Sequence, residues 1–287
     1  MPARFRASQR TMTSIAIATF LSLALAAGPC LAQSPPRRIG PAEGLGFGLQ
    51  DVGRYERCLT RARSAPQEAF DEAKSWSARG GGDAARHCAA LALLHGGEPA
   101  LAAEQLEQLA NAMEKRPAAL RAEILAQASH AWLAVDDLPR ARMAATAALR
   151  LDGRNPEIWI DRAEALAAAG AYWEAIDDLN RALELDPRRA EALAFRAAAY
   201  RHVDAKDLAR EDVDRALALN PRLPEAWLER GILDRLAGDA AGARRAWLQV
   251  LVLDADGPAG DAARESIAAL EHKLDPAGAE RTRPARR

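Results

Sequence analysis

The chain has 287 residues, 39 basic against 40 acidic side chains, and 49% hydrophobic residues. That length suits one elongated domain or two globular ones. The balance lacks the cationic excess with which nonspecific nucleic-acid binders neutralise phosphates, so nucleic acid is not an expected partner.

The first stretch reads as a signal peptide over residues 1–32. Arg4, Arg6 and Arg10 give a positive start, an apolar run follows from Ile15 to Ala27, and Cys30-Leu31-Ala32 offers small residues before a cut after Ala32. The apolar run is short of the roughly 20 residues that span a membrane. The expectation is therefore export by the general secretory route and a periplasmic location. Membrane contact would come only through an uncleaved leader or the basic C-terminal tail. Cys30 is a poor lipid-attachment site, because Pro29 directly before it fixes the backbone. Cleavage removes three arginines and no acids, which leaves the mature chain weakly acidic. It also leaves two cysteines, Cys58 and Cys88, and an even number in an oxidising compartment predicts a disulfide between them.

Residues 33–50 (QSPPRRIGPAEGLGFGLQ) read as a flexible linker. Degenerate helical hairpins are expected over residues 51–121. A short helix carries Tyr55, Cys58 and Leu59 and ends near Ser64, where Ser64 and Gln67 have the spacing of a capping box for the next helix. That helix carries Phe70, Ala73 and Trp76 and stops at Gly80-Gly81-Gly82. A third helix runs from about Asp83 to Leu94 and breaks at Gly96-Gly97. A fourth holds Leu101, Leu106 and Leu109, and Pro117 marks the start of the next.

From residue 122 the chain repeats every thirty-four residues, over 122–155, 156–189, 190–223 and 224–257. Ala141, Ala175, Ala209 and Ala243 share one phase, and Leu149, Leu183, Leu217 and Leu251 share another. Glu123, Glu157, Glu191 and Glu225 open the units, while Asp152, Asp186, Asn220 and Asp254 close a helix in each. A fixed period of this size means a stack of one supersecondary unit. Small residues at Ser129, Ala163, Ala197 and Gly231 let two helices approach closely, with larger neighbours such as Leu179 filling the space around them. Gly170 and Gly238 fall in the turn between the helices, where Asp136-Asp137 and Asp204 stand in the other units. Arg162, Arg196 and Arg230 recur against Asp178 and Asp212, which predicts arginine–aspartate pairs within or between hairpins. A capping helix over residues 258–274 closes the stack, and a basic tail, 275–287, follows.

The unit 156–189 resembles a tetratricopeptide repeat (TPR) through Trp159, Ala163, Gly170, Tyr172, Ala175, Leu179, Ala182 and Pro187. The next unit matches through Ala197, Tyr200, Ala209, Ala216 and Pro221, and the one after through Trp227, Gly231, Gly238, Ala243 and Trp247. The specific resemblance covers residues 122–257 and is of an exported bacterial type. It implies an all-α, right-handed superhelical solenoid of antiparallel helix pairs. It also implies that the first helix of each pair lines a concave groove. Candidate groove residues are then His130, Ile160, Glu164, Phe195, Arg201, His202, Leu228, Ile232 and Arg235, a mixed apolar and charged surface suited to a peptide. The lysine–asparagine grip on a C-terminal carboxylate used by some family members is absent, since Lys206 is the only lysine in 122–257. Trp173, beside Tyr172 near a hairpin turn, is a candidate exposed interface residue.

No motif for catalysis stands out. The chain carries no Gly-rich phosphate loop, no His-Glu-x-x-His and no Gly-x-Ser-x-Gly. Cys88 and His95 lie two helical turns apart, roughly 10 Å by helix rise, too far to share one metal. The expected function is a non-enzymatic protein–protein interaction scaffold without cofactor or metal, binding a protein or peptide in envelope assembly. A holdase-like assistant in cytochrome or outer-membrane protein maturation and a cryptic cell-wall hydrolase are the alternatives.

Overall fold

The computed structural model describes residues 49–274, all of which fall within the compact unit Ile39–Arg287. The expected signal peptide, most of the linker and the basic tail lie outside the described residues. Thirteen α-helices make up the described part. They are α1 (Leu49–Ser64), α2 (Pro66–Ala78), α3 (Gly82–His95), α4 (Pro99–Ala112), α5 (Ala118–Leu133), α6 (Leu138–Leu151), α7 (Pro156–Ala168), α8 (Tyr172–Leu185), α9 (Ala190–His202), α10 (Lys206–Leu219), α11 (Pro224–Leu236), α12 (Ala240–Leu253) and α13 (Pro258–Leu274). Neighbours in sequence pack as antiparallel pairs, and each pair packs on the next to give an all-helical solenoid.

Two kinds of turn make this chain double back at a fixed period. Within a pair, Asp136, Gly170, Asp204 and Gly238 all take positive φ, between 57° and 87°. The residue after each donates its N–H to a carbonyl five residues back: Asp137 to Trp132, Ala171 to Leu166, Ala205 to Tyr200 and Asp239 to Asp234. This is a Schellman ending, which satisfies helix carbonyls that would otherwise lack partners. Between pairs, Asp152, Asp186 and Asn220 leave the helix in an extended conformation. Each side chain then accepts the N–H two residues on, from Arg154, Arg188 and Arg222. That local bond explains why an acid or amide recurs there: the side chain substitutes for the next turn of helix and turns the chain instead.

One capping expectation fails. The residue before α2 is Ala65, which makes no side-chain cap, and Ser64 Oγ donates back to the Thr60 carbonyl instead. Pro66 at the first helical position already dispenses with one orphan N–H, so the cap has little left to satisfy.

The core of each pair is a contact between a small residue and its complement. Ala141, Ala175, Ala209 and Ala243 are fully buried, as is Ser129, whose hydroxyl donates to the Ala141 carbonyl at 2.8 Å. Ala163, Ala197 and Gly231 continue the Ser129 column, and buried Ala145, Leu179, Val213 and Trp247 form a further column on the partner helices. At Gly231 a Cβ would lie 2.3 Å from Trp247 Nε1, so glycine here makes room for the indole. Trp159 and Trp227 pin the incoming loops, donating to the carbonyls of Gly153 and Pro221.

The recurring ion pairs form within hairpins. Arg162 binds both oxygens of Asp178 at 2.7 Å, joining α7 to α8. Arg196 binds Asp212 the same way, joining α9 to α10, and also reaches back to Asn180 on α8. Arg230 has Ala246 where the next aspartate would stand, and it turns to Asp214 on the preceding α10. These bidentate forks fix register more than they add stability.

Candidate functional site

The odd-numbered helices α5, α7, α9 and α11 lie side by side and present one face of the solenoid. The thirty-four-residue period assigns that face by column. His130, Glu164 and Ile232 share one column, Ile160 and Leu228 a second, Phe195 a third, and Arg201 and Arg235 a fourth. The column of Phe195 also contains Gln127, Asp161 and Glu229, which sequence reasoning passed over.

The structure divides these residues into committed and available ones. Ile160 is 6% exposed and belongs to the core. His130 Nε2 meets Asp161 Oδ1 at 2.8 Å. That hydrogen bond raises the His130 pKa, burial opposes it, and the Asp161 and Glu164 charges add to it. Arg201 donates to the buried Glu229 at 2.5 Å and lies 3.2 Å from His202 Nε2. The His202 ring stacks on Tyr172 with centroids 4.2 Å apart, so it covers the hairpin turn below it. Burial holds the Glu229 carboxyl above its ordinary range, against the pull of Arg201.

Available to a ligand are half-buried Phe195, Leu228 and Ile232 and the exposed Glu164, Glu225 and Arg235. Glu164 stands on α7 and Glu225 on α11, yet the Glu225 charge acts on Glu164 across the intervening helix. Crowding by protein raises the Glu164 pKa, His130 opposes the rise, and Asp161 and Glu225 reinforce it. The last turns of α9 and α11 carry Arg201, paired with Glu229, His202, whose pKa burial and the Arg201 charge lower, and exposed Arg235. The face therefore joins apolar side chains to exposed acids and to Arg235.

Elsewhere, Trp173 is 63% exposed at the start of α8. Cys58 on α1 and Cys88 on α3 are brought together with their sulfurs in bonding contact and a Cα separation of 6.2 Å. Among the described residues no group of three His, Cys, Asp or Glu side chains is placed to hold a metal.

No family model and no curated sequence relative matches the chain. Among solved structures, the chain is similar to a thermophilic TPR protein of Thermus thermophilus, with a TM-score of 0.55 and 18% identity over 66% of this chain and 98% of that one. It is also similar to a tetratricopeptide repeat protein from Parabacteroides merdae, with a TM-score of 0.51 and 22% identity over 66% of this chain and 73% of that one. The chain has the tetratricopeptide-repeat fold. Within it the column of Ala141, Ala175, Ala209 and Ala243 is uniform and buried, while the face of the odd-numbered helices is mixed.

Proposed function

We propose that this protein is a non-catalytic periplasmic scaffold that holds an extended peptide segment of a partner protein along the concave face of α5–α11, in the assembly of envelope components. One observation carries the reading: the odd-numbered helices bring partly exposed Phe195, Leu228 and Ile232 to the same face as the exposed acids Glu164 and Glu225. A face that only needed to pack would bury these apolar side chains. Apolar patches with oriented charges between them suit a bound peptide, which supplies side chains for both. The periplasmic location is supported by the leader-like start of the chain and by a cysteine pair already in bonding contact, since disulfides persist in oxidising compartments. The pair is read as oxidised in the mature protein, and mass spectrometry of the unreduced mature chain tests it; two free thiols would refute it.

Envelope crosslinking followed by purification is the functional test. A partner recovered with the wild-type chain and lost on Phe195→Ala supports this face. Binding that survives both Phe195→Ala and Glu164→Gln sinks it. Arg201→Ala is a poorer probe, because Arg201 supports the buried Glu229.

A further inference from the structure

At the C-terminal end of the stack, α11 and α13 enclose a cleft of about 690 Å³, within the roughly 300–1,000 Å³ usual for ligand pockets. Arg235 and Leu236 line it from α11, and Glu265, Ser266, Ala269 and Leu270 line it from α13. The thirty-four-residue period runs on into α13 and accounts for this lining. Ser266 falls in the column of His130, Glu164 and Ile232, and Ala269 falls in that of Arg201 and Arg235. By register α13 is the first helix of a fifth pair, so it carries the face of the odd-numbered helices one helix further. The apolar surface is continuous too: half-buried Leu228 and Ile232 pack on the same hydrophobic cluster as Leu270.

One departure from the repeat gives the cleft its charge. Glu265 stands in the column of Ser129, Ala163, Ala197 and Gly231, which are small where a second helix packs on them. No second helix follows α13 among the described residues, so the larger Glu265 is tolerated and exposed. Arg235, also exposed, supplies a cation from α11. The charges around them are already taken: Arg264 holds Asp261, Arg244 holds Glu271, and Arg210 and Arg230 hold Asp234. Among the described residues, Arg235 and Glu265 form no ion pair, with each other or with a third group. The rest of the lining is mostly aliphatic, and Leu236 is left 47% exposed.

We propose that this cleft anchors the partner segment by one large apolar side chain set between an acidic and a basic residue, the acid for Arg235 and the base for Glu265. The proposal rests on the peptide-binding reading and adds the chemistry of one anchor to it. The apolar side chain covers Leu236 and Leu270, which removes apolar surface from water. The two wall charges fix direction: a segment with acid and base exchanged brings like charges together on both walls. A polyanion satisfies Arg235 and is repelled by Glu265.

Selection of random dodecapeptides displayed against the full mature chain tests this. Enriched peptides should share Leu, Ile, Met or Phe between an acid and a base, in one fixed order. A synthetic peptide of that sequence should bind about three- to tenfold more weakly to Arg235→Ala and to Glu265→Gln, and about tenfold or more weakly to Ala269→Trp, which fills the cleft. All three side chains are exposed, so the urea midpoints of these variants should match the wild type. Peptides that need Phe195 but bind all three variants as tightly as wild type overturn the anchor and leave the rest of the face standing. Enriched peptides that ignore Phe195→Ala as well, or no enrichment at all, defeat the face and the anchor together. A benzophenone amino acid at Ala269 should crosslink the selected peptide. A crosslink instead to residues 275–287 of the same chain, or to a second copy, would give the cleft another occupant and overturn the proposal.

Discussion

Gly231 shows how much of this fold is decided at single positions. Its column is otherwise Ser129, Ala163 and Ala197, and it loses its last methyl where the facing residue grows to Trp247. Gly231→Ala should therefore destabilise the α11–α12 hairpin even though alanine favours helix, because the indole is fully buried and cannot retreat. The expected cost is about 1–3 kcal/mol, read as a lower urea midpoint. An unchanged or raised midpoint would show that the pair tolerates the extra methyl. His130 gives a residue-scale prediction in pH. Its pKa is raised in the folded chain by Asp161, so its stabilising effect is full below about pH 6.5 and disappears as pH rises through the raised value. The side chain is half exposed, which limits the effect to about 0.5 kcal/mol. His130→Ala should flatten that portion of the stability–pH curve.

Elements in this chain are set by turns that were legible as residue types before their geometry was known. The positive-φ column of Asp136, Gly170, Asp204 and Gly238 follows from the rule that helices end in glycine or a short polar residue. The recurrent Asp186 and Asn220 were visible as a column, but their hydrogen bonds to the N–H two residues on were not, because the same residues also cap helices or sit free on a surface. Asp186→Ala should cost about 0.5–1.5 kcal/mol as that bond is lost, which a urea titration would resolve. The Ser64–Gln67 motif misled for a related reason: a capping box is a local preference, and Pro66 with the packing of α1 on α2 set the junction first. The arginine–aspartate pairs were legible as pairs but not as partners. Arg230 shows why, since a missing aspartate at position 246 sends it to the neighbouring hairpin. Reducing the Cys58–Cys88 pair should lower stability by about 3–4 kcal/mol on the loop-closure argument, with the loss concentrated in the first helices.

At the scale of the whole solenoid, periodicity specified the architecture from residue 122 onward and said little about what the surface holds. A column assigns a residue to one face of the stack. It does not reveal whether the side chain is already engaged, as Ile160 is by the core and Arg201 by Glu229. Nor does it reveal that Glu164 and Glu225, sixty-one positions apart in sequence, share that face. Stacking is what brings these scattered positions to one face. The claim that this face holds a partner segment is tested most directly by photo-crosslinking in the envelope. A benzophenone amino acid would replace either Phe195 on the face or Met143, 69% exposed on the second helix of an earlier pair. The account predicts a discrete crosslinked partner from position 195, weakened by Glu164→Gln, and none from position 143. Equal capture from both positions, or capture from position 143 alone, would contradict it.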